Sequence, residues 1–231
     1  MKDVIVALDF DSKEKTIEFL KKFDNNLFVK VGMELFYKEG PSIIYEIKSM
    51  GHKIFLDLKL HDIPNTVSSA TKSIMSLNCD MINYHIAGGK KMLSDSVKVA
   101  KEINKDVITL GITVLTSSTE DVMKNEALID KSLTLKEAVL KYATLGKSAG
   151  LSGVVCSALE VPTIKESIGN DFICVTPGIR PLNNANEDQK RVVTPREARD
   201  LGSDYIVVGR PITRAEDPVK AYEDIRKEFL G

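Results

Sequence analysis

In the run Phe55-Leu56-Asp57-Leu58-Lys59-Leu60-His61-Asp62 an acid and a base stand two residues apart, interleaved with leucines. Side chains two apart share one face of a strand. Asp57 and Lys59 therefore point one way, and Leu56, Leu58 and Leu60 the other. Lys30 interrupts a second apolar run, Phe28-Val29-Lys30-Val31, in the same manner. Two ammonium groups and one carboxylate in a confined place require more negative charge, because an unpaired buried ammonium is costly. Asp62, just beyond the run, could supply it. Flanking carboxylates favour the charged form of Lys59 and make it a proton donor rather than an amine nucleophile. Schiff-base chemistry is thereby disfavoured, and two lysines beside Asp57 and Asp62 would repel a divalent cation. For any one pair alone, an ion-pair network that only fixes strand register is the alternative.

These residues need elements to position them. Short β-branched runs at 4–8, 28–31, 53–58, 81–85, 107–114, 153–157, 172–176 and 205–208 read as strands. Between them, 14–22, 41–50, 66–77, 90–103, 135–149, 161–167, 195–201 and 218–229 carry apolar residues at helical spacing. Eight βα units in 231 residues predict a compact α/β fold, a single-domain (β/α)8 TIM barrel over 1–231. The wide gap after the fifth strand, 117–131, reads as an additional short helix and loop. A doubly wound open sheet would want a glycine-rich turn after its first strand. That turn is Asp9-Phe10-Asp11-Ser12, without glycine.

In a barrel the outer face is covered by helices, which forces Asp57 and Lys59 inward at the carboxyl end of their strand, where barrel sites are built. Polar residues mark nearly every such end: Asp9, Lys30, Asp57, Lys59, His85, Thr116, Ser157 and Gly209-Arg210. Taken singly, Ser12 and Ser157 read as helix caps. His85 is a secondary candidate for chemistry. Alternation turns His61 away from Asp57 and Lys59, toward a structural hydrogen-bonding role, and His52, ahead of a strand, reads as solvent-facing.

After the seventh and eighth strands come Thr176-Pro177-Gly178-Ile179-Arg180 and Gly209-Arg210-Pro211. Each joins a glycine, which lets backbone N–H groups approach an anion, to an arginine that can bind it bidentately. These are the two loops where such barrels hold phosphate. The polar stretch at about 178–194 carries Arg180, Asn183, Asn184, Asn186, Gln189 and Arg191 and is longer than an ordinary βα connection. It reads as a lid in which Gln189 and Arg180 contact the phosphate, so that binding at the unreactive end drives closure. A plain surface loop is the alternative.

With 32 Lys+Arg against 33 Asp+Glu and a net charge of −1, no polyanion-binding arm is expected, hence no nucleic-acid partner. The apolar run 4–8 is too short for a signal-peptide core or a membrane span, so a soluble cytoplasmic chain with no membrane partner is expected. Cys79, Cys156 and Cys174 are an odd number without C-x-x-C spacing, which fits reduced thiols better than disulfides or a zinc site. Cys156 and Cys174 read as small apolar strand residues.

The segment Asp57-Leu58-Lys59-Leu60-His61-Asp62-Ile63-Pro64-Asn65-Thr66 resembles the D-x-K-x-H-D-I-P-N-T signature of the orotidine 5′-phosphate decarboxylase family. Residues 4–9, Lys30-Val31-Gly32, Thr113-Val114-Leu115-Thr116-Ser117, Thr176-Pro177-Gly178-Ile179-Arg180 and Ile206-Val207-Val208-Gly209-Arg210-Pro211-Ile212 are similar to segments of its bacterial branch. The resemblance covers essentially the whole chain. It implies decarboxylation of orotidine 5′-monophosphate to UMP, the last step of de novo pyrimidine synthesis, with no metal and no organic cofactor. It implies a catalytic set of Lys59, Asp57, Asp62 and Lys30, with Lys59 protonating C6 as carbon dioxide leaves and Asp57 beside the scissile carboxylate. Lys30 and Asp9 would hold the ribose, Thr116 would lie near the pyrimidine, and Gln189, Arg180, Gly209 and Arg210 would hold the phosphate. Pro177 joins the substrate-binding set. Members are homodimers in which the residues matching Asp62 and Thr66 enter the neighbouring subunit's site. Sugar-phosphate enzymes on the same barrel share a D-x-K-x-x-D strand but depend on magnesium, and the continuation from His61 to Thr66 favours the nucleotide enzyme. A non-catalytic binder of phosphorylated nucleosides would need no proton donor at Lys59.

Overall fold

The computed structural model describes residues 2–181 and 192–231. Eight parallel strands, β1 (Asp3–Ala7), β2 (Phe28–Gly32), β3 (Lys53–Leu60), β4 (Met81–His85), β5 (Ile108–Ile112), β6 (Gly153–Val155), β7 (Ile173–Thr176) and β8 (Tyr205–Val208), close into a barrel in sequential order. β8 pairs back onto β1. The connections hold α1 (Lys13–Leu20), α2 (Met33–Glu39), α3 (Pro41–Ser49), α4 (Pro64–Met75), α5 (Gly89–Ile103), α6 (Glu120–Asn125), α7 (Leu135–Ser148), α8 (Val161–Ile168), α9 (Pro195–Asp200), α10 (Arg210–Thr213) and α11 (Pro218–Leu230). This is the (β/α)8 barrel that the spacing predicts, and α6 is the short helix of the wide gap. The spacing does not predict α2 and α10, which start directly at strand ends and are too short to display a period.

Local chemistry punctuates these elements. Six of the eight prolines occupy the first or second position of a helix, where the missing N–H breaks no bond. The other two, Pro177 and Pro181, fall in the connection after β7. Ser12, Thr134 and Thr194 accept the early N–H groups of α1, α7 and α9, each such cap contributing about 1 kcal/mol. Ser157 likewise caps the short 3₁₀ turn after β6 and has no other evident role.

Alternation along the strands sets the layers. Val4, Val6 and Leu8, then Val29 and Val31, then Ile54, Leu56 and Leu58 face the helices in one apolar cluster. The residues between them, among them Ile5, Ala7, Phe28, Phe55, Met81 and Val207, fill the barrel interior in another. Fully burying such a side chain stabilises by about 1.5–3 kcal/mol, so a one-residue slip of any strand would be prohibitive. Toward the carboxyl ends the inward series changes character. After Ala7 comes Asp9, after Phe28 Lys30, after Phe55 Asp57 and after Met81 Asn83, so a polar layer rests directly on an apolar plug.

The amino end is tied by two matching latches. Asp80 accepts from Ile54 N at 2.7 Å and Lys48 Nζ at 2.9 Å, and Asp204 accepts from Cys174 N at 2.8 Å and Lys165 Nζ at 2.6 Å. The three cysteines are buried and form no disulfide among the described residues, and burial pushes the Cys79 thiol up to about 12. Among the described residues no helix is long and apolar enough to cross a membrane.

One expectation is overturned here: His52 is not solvent-facing but 3% exposed. Its Nδ1 accepts from Leu27 N at 3.0 Å, giving a partner to a backbone donor that the barrel buries. Burial depresses the basicity of His52 below the ordinary 6.5. A histidine depressed on folding contributes stability that is present above 6.5 and lost as pH falls toward its folded value, because the unfolded chain takes up the proton first. Urea unfolding between about pH 7.5 and about pH 5.5 should therefore show declining stability, and His52→Gln should lessen the slope. Equal slopes for the two proteins would contradict this.

Candidate active site

At the carboxyl end of the barrel lies a cavity of about 300 Å³. Ala7, Phe55, Val155 and Val207, the top of the plug, form its floor. Asp9, Lys30, Asp57 and Lys59 make one wall, Ile112, Val114 and Thr116 come from the other side of the barrel, and Pro177, Gly178, Arg180, Gly209 and Arg210 complete the rim.

The charged wall alternates in sign. Lys30 Nζ lies 3.1 Å from Asp9 Oδ1 and 3.5 Å from Asp57 Oδ2, and Lys59 Nζ donates to Asp57 Oδ1 at 2.7 Å. Asp57 is 8% exposed. Burial by itself would raise its pKa, but Lys30 and Lys59, with hydrogen bonds from Lys59 and Asn83, outweigh it and hold the carboxyl below its usual 3.8. Gly32 gives the Lys30 ammonium room, since a Cβ there would stand 3.2 Å from Nζ. Within one chain the fourth charge of the wall comes from Asp9, while Asp62 is exposed, bonds its own neighbour Ile63 N at 2.6 Å, and joins no ion pair among the described residues. Asp62 lies past the end of β3, beyond the inward layer.

Simple alternation does not account for Lys59. Its φ is +53°, in the left-handed region, and the β3–β4 pairing shifts register between Leu56 and Leu60. For a long side chain that conformation costs about 1–3 kcal/mol. Asn83, on the adjacent strand, stabilises the bulge: its Oδ1 accepts from Lys59 N at 2.8 Å, and its Nδ2 donates to Asp57 Oδ1 at 2.6 Å. The sequence reading passes over Asn83, although a lone amide at an inward position of Met81-Ile82-Asn83-Tyr84-His85 was a visible signal.

On the rim, Gly178 has φ +82°, and Arg180 N donates to Val193 O at 2.9 Å while Val193 N donates to Gly178 O at 3.3 Å. The two ends of the stretch after β7 are thus tied together. Gln189, with Asn183, Asn184, Asn186 and Arg191, lies outside the described residues.

These features can be set beside known proteins. The model of the orotidine 5′-phosphate decarboxylase / HUMPS family matches residues 2–225. A Staphylococcus aureus protein named orotidine 5′-phosphate decarboxylase is 54% identical over 231 residues, the whole of both chains. The chain belongs to this family. A crystal structure of the orotidine 5′-phosphate decarboxylase from Lactobacillus acidophilus is similar with TM-score 0.89 and 43% identity over all of both chains. One from Pyrococcus horikoshii OT3, at 23% identity over 99% of each chain and TM-score 0.77, shares the fold.

Of the residues that resemblance to the family singles out, Asp9, Lys30, Asp57, Lys59, Thr116, Pro177, Arg180, Gly209 and Arg210 line one cavity. Asp62 and Thr66 do not; both are exposed. His61 is exposed too, and its ring lies 5.5 Å from that of His85, so it gains a ring neighbour where a hydrogen bond was expected. His85 is half-buried and does not line the cavity, and burial, followed by the nearness of His61 and Lys59, lowers its basicity.

The charged wall makes a direct prediction. Carboxyl-carbon NMR should find Asp57 ionised below its ordinary 3.8, with the stability it contributes present above that value and lost as pH falls through the lower one. Lys30→Met should move the titration upward, and an unmoved titration would show that Lys30 does not set it.

Proposed function

We propose that the chain decarboxylates orotidine 5′-monophosphate to UMP in de novo pyrimidine synthesis, with Lys59 as proton donor to C6 and without metal or organic cofactor. The observation that carries this reading is the Lys59 ammonium held 2.7 Å from the buried Asp57 carboxylate, inside a cavity that also contains two Gly-Arg corners. The substrate phosphate sits at Arg180, Gly209 and Arg210, joined by Gln189. Asp9 and Lys30 take the ribose hydroxyls, and the pyrimidine lies against the apolar side with Thr116 and Pro177. Its carboxylate then faces Asp57 and Lys59.

As the C6–carboxyl bond breaks, its electron pair stays on C6 and carbon dioxide departs. Lys59 transfers a proton to C6 and is reprotonated from solvent, so the net reaction consumes one proton. A fixed ammonium in a site with little water stabilises the carbanion that develops there. Asp57 repels the substrate carboxylate, and that repulsion ends as the carboxylate becomes neutral carbon dioxide. The stretch 178–194 acts as the lid, its closure driven by the phosphate and excluding water from the reacting end.

The reading includes a homodimer in which Asp62 and Thr66 reach the neighbouring site. Both are exposed at the barrel's carboxyl end, where the apolar Met33 and Ile63 are exposed as well, which suits a surface covered by a second copy. It also places the enzyme in the cytoplasm, in keeping with three cysteines that form no disulfide among the described residues.

Loss of orotidylate absorbance provides the assay. Activity should persist in chelator, and Lys59→Ala should reduce kcat by several orders of magnitude while UMP still binds. Abolition by EDTA would instead favour the magnesium-dependent sugar-phosphate branch, and near-normal turnover by the variant would remove Lys59 from the donor role. Mixing inactive Asp62→Ala and Lys59→Ala proteins should restore part of the activity, and no recovery despite subunit exchange would refute shared sites.

A further inference from the structure

Asn83 is 1% exposed and does not line the cavity, so it lies behind the charged wall rather than against a substrate. A buried amide is destabilising unless both its ends are satisfied. Here one end holds the backbone of Lys59 and the other the carboxylate of Asp57. We propose that Asn83 is a positioning residue for the decarboxylation, fixing the left-handed backbone of Lys59 that aims its ammonium and clamping the plane of the Asp57 carboxylate that holds it. This rests on the roles given above to Lys59 and Asp57.

Oδ1 of Asp57 takes Lys59 Nζ at 2.7 Å and Asn83 Nδ2 at 2.6 Å, so the carboxylate cannot turn without breaking both bonds. Oδ2 is left to Lys30, at 3.5 Å. Without Asn83 Oδ1, the N–H of Lys59 loses its partner and the strained φ of +53° loses its support. A return to extended backbone would redirect Cα–Cβ and carry Nζ away from its present place. The groups facing Asp57 are Lys30 from β2, Lys59 from β3, and Asn83 and His85 from β4, with Asp9 behind Lys30. Of the four that face it, only Asn83 is uncharged at every pH, so replacing it by an apolar residue changes the surroundings of Asp57 without altering the charge there.

Two variants test this. Asn83→Leu fills the site but removes both bonds, whereas Asn83→Asp keeps the shape and the acceptor for Lys59 N and substitutes a carboxyl for the donor. For Asn83→Leu, kcat on orotidylate should fall about 100-fold, as for a reacting group misplaced by about 1 Å. KM should stay within about threefold, because the phosphate grip is untouched. The NMR titration of Asp57, read without substrate, should move up, and the acid limb of the kcat–pH profile with it. In Asn83→Asp the two carboxyls share a proton, and the protonated form can donate as the amide does. Its activity relative to wild type should therefore recover as pH falls.

Wild-type kcat with an unchanged Asp57 titration overturns the proposal, as does a loss of kcat that follows thermal unfolding while the titration stays put. If Asn83→Leu does not fold, Asn83→Asp decides through its pH dependence: activity that recovers relative to wild type as pH falls supports the proposal, and an activity ratio independent of pH overturns it. A wild-type protein that fails to turn over orotidylate would defeat the reaction itself, while the Asp57 titration would still decide whether Asn83 governs that carboxylate.

Discussion

A carboxylate held ionised between two ammonium groups, with little access to water, is the constraint around which this barrel is organised. Asp57 can be buried at that depth only because Lys30 and Lys59 flank it and Asn83 donates to it. Each partner comes from a different part of the barrel wall, so their separation is fixed by strand pairing rather than by any one loop. The aligned pairs Ala7 with Lys30, Lys30 with Phe55 and Gly32 with Asp57 show how directly the register sets that spacing. A slip of β2 by one residue would send Lys30 into the helical layer and leave Asp57 with one cation fewer.

Much of this was legible because a period of two is a strong code. Phe55-Leu56-Asp57-Leu58 and Phe28-Val29-Lys30-Val31 each announce an outward apolar series and an inward series that turns polar, which is what the two clusters display. Apolar residues at helical spacing marked most of the helices in the same way, though not the short α2 and α10. The Gly-Arg corners after β7 and β8 fell where the barrel expectation put them, on the rim of one cavity.

What was not legible is long-range polar pairing. Spacing suggested Asp62 as the partner carboxylate because it is near in sequence, whereas the barrel brings Asp9, 21 positions before Lys30, to 3.1 Å. His52 looked like an ordinary residue before a strand, yet an otherwise unpartnered backbone donor at Leu27 captures it. The left-handed turn at Lys59 has no signature in a run of alternating leucines, since it depends on an amide that arrives from β4. The proposed crossing of Asp62 and Thr66 into a second copy's site is likewise something that no single-chain pattern contains.

The most direct test of the account is a crystal structure with UMP bound. The account predicts Lys59 Nζ at hydrogen-bond reach, about 3 Å, from C6, with the phosphate on Arg210 and the backbone of Gly209. A nucleotide bound with its phosphate elsewhere, or with C6 turned toward the apolar side and away from Lys59, would contradict it.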